Sequence, residues 1–524
     1  NTNPIPAGDW FLRGSPQTTL DPDKKRPVGA VATCVAGVAA FRAADVGKYL
    51  HLYGGILRII AVDSTTSVRA EILSELSATA ENPDAAPAGS WTLEVASWSI
   101  TRGYPRTGEF FQGRLGQAST TAQPTTFWLS GSDGFDTYAV GVLADAAVDY
   151  TLTSRQVNRL EWLADMLPLF VGTVAAVFRV TGPNSDDPLG GDSVPLVRRI
   201  EQVGTAPVQP AVIANKILFL DATRMKVFVL SYSIESDAFE ALELTALATQ
   251  AAGTGFALHA IAVAQSPDPR LLFVRTDGQL AALTFFVKEK VVGFTRLVTP
   301  GVIESACVIP QPPPAADQLW LIVRRTIGLN ELRYVEVGEL ANFDTGAAPT
   351  FGQGRAWAEL YTDSAVVLHA PAGGPAFTAV GGLSHLEGRT VAVVADGSYL
   401  GTAVVSGGAI PDLAEAVEHV EVGLAYTSTL QTMRPSIPNA VIEGISRTWK
   451  KLFVRVHASK GGKINGEWLE YPPEALETPT LYSGDLAIHG QGWDTDGRVT
   501  ITQDQPYPLT ILGLFGTLVL GDHD

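Results

Sequence analysis

Short apolar runs rich in Val, Ile, Leu and Phe recur along the whole chain and are cut by glycine and proline. Runs of this length bounded by turn residues predict strands rather than helices. Four segments look alike: LPLFVGTVAAVFRVTG from Leu167, KILFLDATRMKVFVLSY from Lys216, RLLFVRTDGQLAALTFF from Arg270 and QLWLIVRRTIGLNELRYVEV from Gln318. Each reads as a hairpin. In the third, Asp277-Gly278 sits between two apolar runs, a pair that supplies positive φ in a tight two-residue turn, and Asp396-Gly397 repeats that signal further on. Leu169, Ile217, Leu271 and Leu319 take equivalent first-strand positions, 48, 54 and 48 residues apart. A period near fifty is a blade period, because a four-stranded antiparallel blade cannot cover both of its faces alone and must stack on its neighbours. The competing reading is an irregular β-sandwich with chance spacing. Only EALELTALATQAAG, from Glu240, has the spacing of a helix.

The predicted class is therefore all-β: a β-propeller with flanking small β-barrel or sandwich domains. Residues 1–98 form an N-terminal β module, with strands such as KYLHLYGGILRIIAV and a long loop, SATAENPDAAPAGS, before WTLEVASWSI. Residues 99–345 carry the blades. Residues 346–524 form a C-terminal β region that closes the propeller or completes the flanking module, with HLEGRTVAVVADGSYLGTAVV, KKLFVRVHAS and RVTITQDQPYPLTILGLFGTLVL as its strand signals.

Composition narrows the picture. The 524 residues are 46% hydrophobic and 17% charged, which excludes a disordered chain, and no run of about 18 apolar residues is present, so no membrane span is expected. Against 37 basic residues stand 54 acidic ones, a net charge of −17 that opposes any grip on nucleic acid through its phosphates. Cys34 and Cys307 lie far apart with no C-x-x-C, and both are expected to be free, buried thiols. The opening NTNPIPAGDW has neither a basic nor an apolar leader region and reads as a trimmed or processed start.

Motifs for chemistry are sparse. Neither G-x-G-x-x-G after a strand nor G-x-x-x-x-G-K-[ST] occurs, so no nucleotide cofactor is expected. The eight histidines form no H-x-x-x-H or H-E-x-x-H pair; His259 and His385 read as core or turn residues. DTDGR, Asp494 to Arg498, has its glycine too early for a calcium loop and Gln505 where the twelfth-position Glu belongs. GPNSDDPLGGDS, from Gly182, reads as an exposed inter-strand loop. SGSDGFDTY, from Ser130, is a poor match to a sialidase Asp box, with Asp133 directly beside Gly134. Glu161, Asp165 and Glu201 are the right types for a glycosidase pair, but nothing in their spacing makes them converge. No G-x-S-x-G elbow is present. Catalytic, cofactor-binding and metal-binding residues are all expected to be absent. A receptor-binding propeller would use aromatic loops, for which Trp128, Tyr138 and Trp162 are candidates, each more simply a core or turn residue.

The order of the pieces carries a resemblance. FRAADVGKYLHLYGGILRIIAV, then WSITRGYPRTGEFFQGRLGQASTTAQPTTFWLSGSDGFDTY, then RLEWLADMLPLFVGT, then LFVRTDGQLAALTF and LWLIVRRTIGLNELRYVEV, then LSHLEGRTVAVVADG, together resemble the tail nozzle (tail tubular protein B-like) proteins of short-tailed bacteriophages, over about residues 37 to 400. The segment from Asp45 to Leu73 also resembles the small module likened to the catalytic-cysteine half-domain of ubiquitin-activating enzymes, an FCCH-like barrel; Cys34 lies outside it, so no ubiquitin chemistry follows. The resemblance implies a structural virion protein with platform-like flanking domains, located in the tail. It would be a homohexameric ring below the adaptor or gatekeeper ring that joins the portal, supporting tail fibres and passing dsDNA through a lumen without specific binding. It implies no enzyme activity. The alternative is a tail-associated propeller that binds or hydrolyses glycans. The distal modules of larger relatives are expected to be absent.

One stretch, GYPRTGEFFQGRL from Gly103, concentrates these questions. Tyr104-Pro105 is expected to turn the chain from the first module into the first blade, which Phe110 and Phe111 begin. On a single strand Glu109 and Arg114 would point to opposite faces, so they are not a catalytic pair, and Arg114 is expected to tie its blade to a neighbouring loop by bidentate hydrogen bonds.

Overall fold

The computed structural model describes residues 8–9 and 18–521, except 78–84, 101, 133, 139, 141–142, 154–157, 185–186, 252–254, 267, 313–316, 340–360, 372–373, 414, 437–443, 474–480 and 490–491. Asp133 and part of the loops from Ser77 and Gly182 lie outside the described residues. The chain falls into two compact units, Asn1–Ile261 and Ala262–Asp524. The fold class is all-β, as the patterning predicts, and no described helix is long and apolar enough to cross a membrane.

The first unit begins with a seven-stranded sheet in the order Gly8–Asp9, Trp91–Ala96, Tyr49–Leu52, Gly55–Val62, Ser67–Ser74, Val31–Ala36, Leu20–Pro22. Alternation sends Val68, Ala70 and Ile72, Cys34 and Ala36, and Leu50 and Leu52 into one core. The sheet closes on itself: Leu20 bridges to Ala86, and the indole Nε1 of Trp91 donates to Thr18 O at 2.7 Å. It is a small barrel. Cys34 is in its core, where burial pushes the thiol up to about 12 and leaves it unreactive.

Three four-stranded antiparallel meanders follow, each a propeller-type blade. The first is Thr107–Phe111, Arg114–Ala118, Thr126–Leu129 and Val148–Thr151; the second is Leu160–Asp165, Leu169–Thr173, Val177–Thr181 and Leu196–Glu201; the third is Ala211–Ile213, Lys216–Leu220, Val227–Ser233 and Ala238–Glu243. Phe127, Leu129, Leu163 and Val171 fill the space between the first and second blades. Trp162, Phe170, Ile217 and Phe219 fill that between the second and third. The strands read as continuous apolar runs because both of their faces are covered.

The strand Leu258–Ala264, in which the division falls, is the first of a fourth four-stranded sheet with Arg270–Arg275, Leu280–Phe286 and Val291–Leu297. A three-stranded sheet of Val302–Ile309, Gln318–Ile327 and Asn330–Glu339 comes next. The four look-alike segments are thus the hairpins formed by the second and third strands of successive sheets, and Leu169, Ile217, Leu271 and Leu319 are all buried there.

The second unit ends in three sheets. One has the order Asp363–His369, His419–Leu424, Thr390–Ala395, Ser398–Val404. The other two share a core built on Leu452, Val454, Leu486 and Ile501: a four-stranded sheet containing Ser428–Gln431 and Thr500–Gln503, and a three-stranded one of Tyr482–Ile488, Arg447–Ser459 and Thr510–Leu520.

Three local expectations are corrected. The segment from Glu240 is not helical: it ends the strand Ala238–Glu243 and continues as turns, with Ala248 N donating to Thr245 O and Ala251 N to Ala248 O. Pairing of six residues with Val227–Ser233 overrides its helical propensity. Cys307 is exposed, not buried, because a bulge between Ile303 and Ser305 turns the following odd-numbered residues outward. The loop at Asp277-Gly278 has three residues, closed by Arg275 N donating to Gln279 O at 2.9 Å, with Gly278 left-handed at φ 80. By contrast Asp396-Gly397 is the two-residue turn its sequence predicts, with φ 46 and 78.

Candidate functional site

The stretch from Gly103 becomes the joint between barrel and blade. Its turn lies one step earlier than Tyr104-Pro105: Gly103 N donates to Ser99 O at 2.7 Å, and Gly103 takes φ 86 with no room for a side chain against Thr121. Tyr104-Pro105 is the link that leaves this turn for the strand Thr107–Phe111. Glu109 and Arg114 are not on one strand. Gln112 and Gly113, at φ 49 and 71, form a tight turn that pairs Phe111 with Arg114 across a hairpin.

The two charges serve different contacts. Arg114 is buried, and its Nη1 donates to Ser130 O and Ala146 O at 2.7 Å while Nη2 donates to Ala144 O at 2.6 Å. Three backbone carbonyls of the loop before the fourth strand are thereby fixed to the second strand, the tie predicted from the sequence. Burial pulls the guanidinium below its ordinary value, and Asp145 and Asp192 oppose this. Glu109 instead accepts Gln209 Nε2 at 2.7 Å; the same amide nitrogen donates to Leu163 O at 2.8 Å, and Thr107 Oγ1 donates to Gln209 Oε1 at 3.2 Å. Gln209 thus ties the first strands of two blades to the lead-in of the third. It carries no sequence signal, since nothing marks a loop glutamine some hundred residues from its partner.

The candidate carboxylates do not converge. Glu161 sits in a bulge of its strand, buried and ion-paired with Arg106 at 3.2 Å and Arg159 at 2.8 Å. Asp165 is exposed at the far end of the same strand, about 13 Å away at 3.3 Å per residue, and accepts Leu167 N. Glu201 is on the fourth strand of that blade, three strands from both. These separations exceed what either glycosidase geometry needs. Trp128, Tyr138 and Trp162 are all buried, so none is offered to a receptor. Asp494 caps its own turn by accepting Gly497 N, and Trp449 Nε1 donates to Gly497 O at 3.0 Å. His385 is a turn residue whose Nε2 meets Ser364 O at 3.0 Å, and among the described residues no three His, Cys, Asp or Glu side chains gather as a metal site.

A second locality, missed in the sequence, is a cleft in the second unit. Its floor is the sheet that starts with Asp363–His369, and it is lined by Val367 and His369, by Val394 and Asp396, by His419 and Glu421, and by Pro506 and Tyr507. Register places His369 opposite His419 on adjacent strands, and their Nδ1 atoms are 2.7 Å apart. Asp396 accepts the backbone N–H groups of Glu418 and His419 at 3.2 and 2.9 Å. Glu421 accepts Tyr361 N and Thr362 N at 3.0 and 2.7 Å; burial raises its carboxyl, and the Thr362 hydroxyl and these N–H groups pull it back. Tyr507 Oη accepts Tyr399 N at 2.7 Å, and burial raises its phenol.

No family model and no curated protein matches the chain. Among solved structures, an auxiliary nutrient binding protein from Bacteroides thetaiotaomicron aligns at 8% identity over 60% of this chain and 85% of its own, with a TM-score of 0.29. An exo-beta-1,3-galactanase from Phanerochaete chrysosporium aligns at 8% identity over 79% and 96%, with a TM-score of 0.24. A luciferin-regenerating enzyme aligns at 11% over 63% and 93%, with a TM-score of 0.25. Likenesses this distant carry nothing about the work of this chain.

Proposed function

We propose that the chain is a structural subunit of a tail nozzle ring of a short-tailed phage, a conduit for dsDNA rather than an enzyme. The observation that carries the reading is the order of parts. A small barrel, a joint, successive four-stranded blades and a second small β region follow one another along the chain, and the six segments that resemble nozzle proteins fall on them in the same order. Those segments build architecture. The first is the turn and hairpin of the barrel, the second the Arg114 joint, and the last the turn and the strand Thr390–Ala395 that lead to Asp396-Gly397.

The buried arginines support a scaffold role. Arg114 holds loop carbonyls, and Arg325 is held by both oxygens of Glu336 at 2.5 and 2.7 Å and by Asp363. Fixed, internally satisfied charges of this kind set geometry, whereas a reacting group needs a partner left free for substrate. The net charge of −17 suits a sleeve that DNA must leave quickly, since each neutralised phosphate would add affinity and slow transit. A ring of identical subunits would present two different patches on each copy.

Negative-stain microscopy and mass photometry of the purified full chain test the proposal. A six-fold ring, found at the distal end of virion tails by antibody labelling and retaining no DNA in a filter assay at low salt, is the expected outcome. A monomer that cleaves polysaccharide would overturn it in favour of the glycan reading.

A further inference from the structure

We propose that His369 and His419 form a two-imidazole site for a late first-row divalent cation, Zn²⁺, Co²⁺ or Ni²⁺, which locks an edge strand onto its sheet. The pair lies at the last rung between Asp363–His369 and His419–Leu424, with the rings tilted by 65° and their centroids 5.0 Å apart. At 2.7 Å the two Nδ1 atoms share one hydrogen, one ring donating and the other accepting. A cation can take that hydrogen's place. Two imidazoles on a tetrahedral ion at 2.0–2.1 Å have nitrogens about 3.3 Å apart, so the rings must part by roughly 0.6 Å and swing their lone pairs toward one point. His369 is exposed and free to do so. If both rings are neutral, the displaced hydrogen moves to Nε2 of the same ring and no charge is lost.

The surroundings favour a cation. Asp396 and Glu421 line the cleft beside the pair, and Asp396 anchors the His419 backbone through its N–H. Among the described residues no third ligating side chain gathers with the pair, so water completes the coordination, which makes the site labile and leaves its selectivity to the imidazoles. Imidazole prefers Zn²⁺, Co²⁺ and Ni²⁺ over Mg²⁺ and Ca²⁺, whose ligands are oxygen.

The consequence is mechanical. Asp363–His369 is the edge strand of its sheet, and His419–Leu424 is the one described strand it pairs with. At its other end Asp363 accepts Thr299 Oγ1 at 2.6 Å and pairs with Arg325 at 3.4 Å, both from the preceding blade region of the same unit. A cation at His369 would therefore clamp the strand that joins the last blade sheet to the C-terminal sheet.

The test is titration of the untagged full chain, stripped with chelator, with Zn²⁺ by calorimetry and with Co²⁺ by visible absorption. One equivalent per chain is expected, unaffected by millimolar Mg²⁺, with affinity weakened at least about tenfold in His369→Gln and again in His419→Gln. Hydrogen exchange across 363–369 should slow with Zn²⁺ in the parent chain only. Should a variant fail to fold, protection of the parent chain's two imidazoles from diethyl pyrocarbonate by Zn²⁺ reads the same site. No binding below millimolar Zn²⁺, or binding kept in the double variant, would overturn the proposal.

Discussion

In both flanks of the chain a 3-10 turn leads through a left-handed glycine into a two-stranded hairpin. In the first flank these are Ala43–Asp45, Gly47 at φ 85, and the strands Tyr49–Leu52 and Gly55–Val62; in the second they are Ser384–Leu386, Gly388 at φ 73, and Thr390–Ala395 and Ser398–Val404. The backbone bonds correspond one to one. Gly47 N donates to Ile59 O and Ile59 N to Lys48 O, as Gly388 N donates to Val405 O and Val405 N to Arg389 O. Both hairpins close on two positive-φ residues, Tyr53-Gly54 and Asp396-Gly397.

The side chain at the end of the turn differs completely. In the barrel it is Asp45, fully buried, whose Oδ2 accepts Arg42 N at 2.8 Å and whose Oδ1 accepts Lys48 Nζ at 2.6 Å. In the C-terminal sheet it is Leu386, packed with Val380, Leu383, Val391 and Val393. A glycine and a turn therefore set the path of the chain, and the buried position accepts either a hydrocarbon or a carboxylate whose hydrogen bonds are met within three residues.

This contrast can be broken at several points. Leu386→Ala removes core volume and should cost about 2–5 kcal/mol, read as faster hydrogen exchange across residues 390–404. The barrel and the C-terminal sheet each hold a buried carboxylate raised by burial, Glu94 and Glu421. Glu94, on the barrel strand that pairs with Tyr49–Leu52, is pushed up to about 7 by burial. Because its folded value lies above its unfolded one, the stability it contributes is complete below about pH 4.5 and is lost as pH rises through about 7. At about 1.4 kcal/mol per pKa unit this amounts to at most about 3.5 kcal/mol, and Glu94→Gln should flatten the fall in barrel stability measured by denaturation between these pH values. Asp45→Ala should cost about 1–2 kcal/mol, less than the leucine, because water can reach the freed Arg42 N–H once the barrel frays. Gly47→Ala and Gly388→Ala should each cost about 1–2 kcal/mol and by similar amounts, since an added Cβ meets nothing within 4 Å at either site and only the left-handed φ is penalised. A large inequality between the two glycines in denaturant midpoints would end the equivalence of the two devices.

Both flanks carry strand signals in the sequence, yet their kinship is not legible there. AADVGK and SHLEGR share only a glycine followed by a cation, and the hairpin strands differ in length. The blade hairpins were far more legible, because each is a local pairing of two adjacent apolar runs repeated near a fifty-residue period. The Arg114 tie was legible in kind and not in partners, since a carbonyl of Ser130 or Ala146 has no distinguishing residue type. The His369 and His419 pair was illegible, being fifty residues apart and joined only by the register of a non-consecutive strand order.

The sequence by itself determined the all-β class, the hairpins and the turn at Asp396-Gly397, because turn chemistry and apolar runs act over ten residues or fewer, and the spacing of the blades, because such a hairpin recurs about every fifty residues. The tertiary structure alone decided that the segment from Glu240 would end a strand and continue as turns, that Cys307 would face outward past a bulge, that Glu161 and Asp165 would stand apart and that two distant histidines would touch. Each of these depends on which strand lies beside which and in what register. That choice is made by burial summed over whole sheets, a quantity no short window of residues contains.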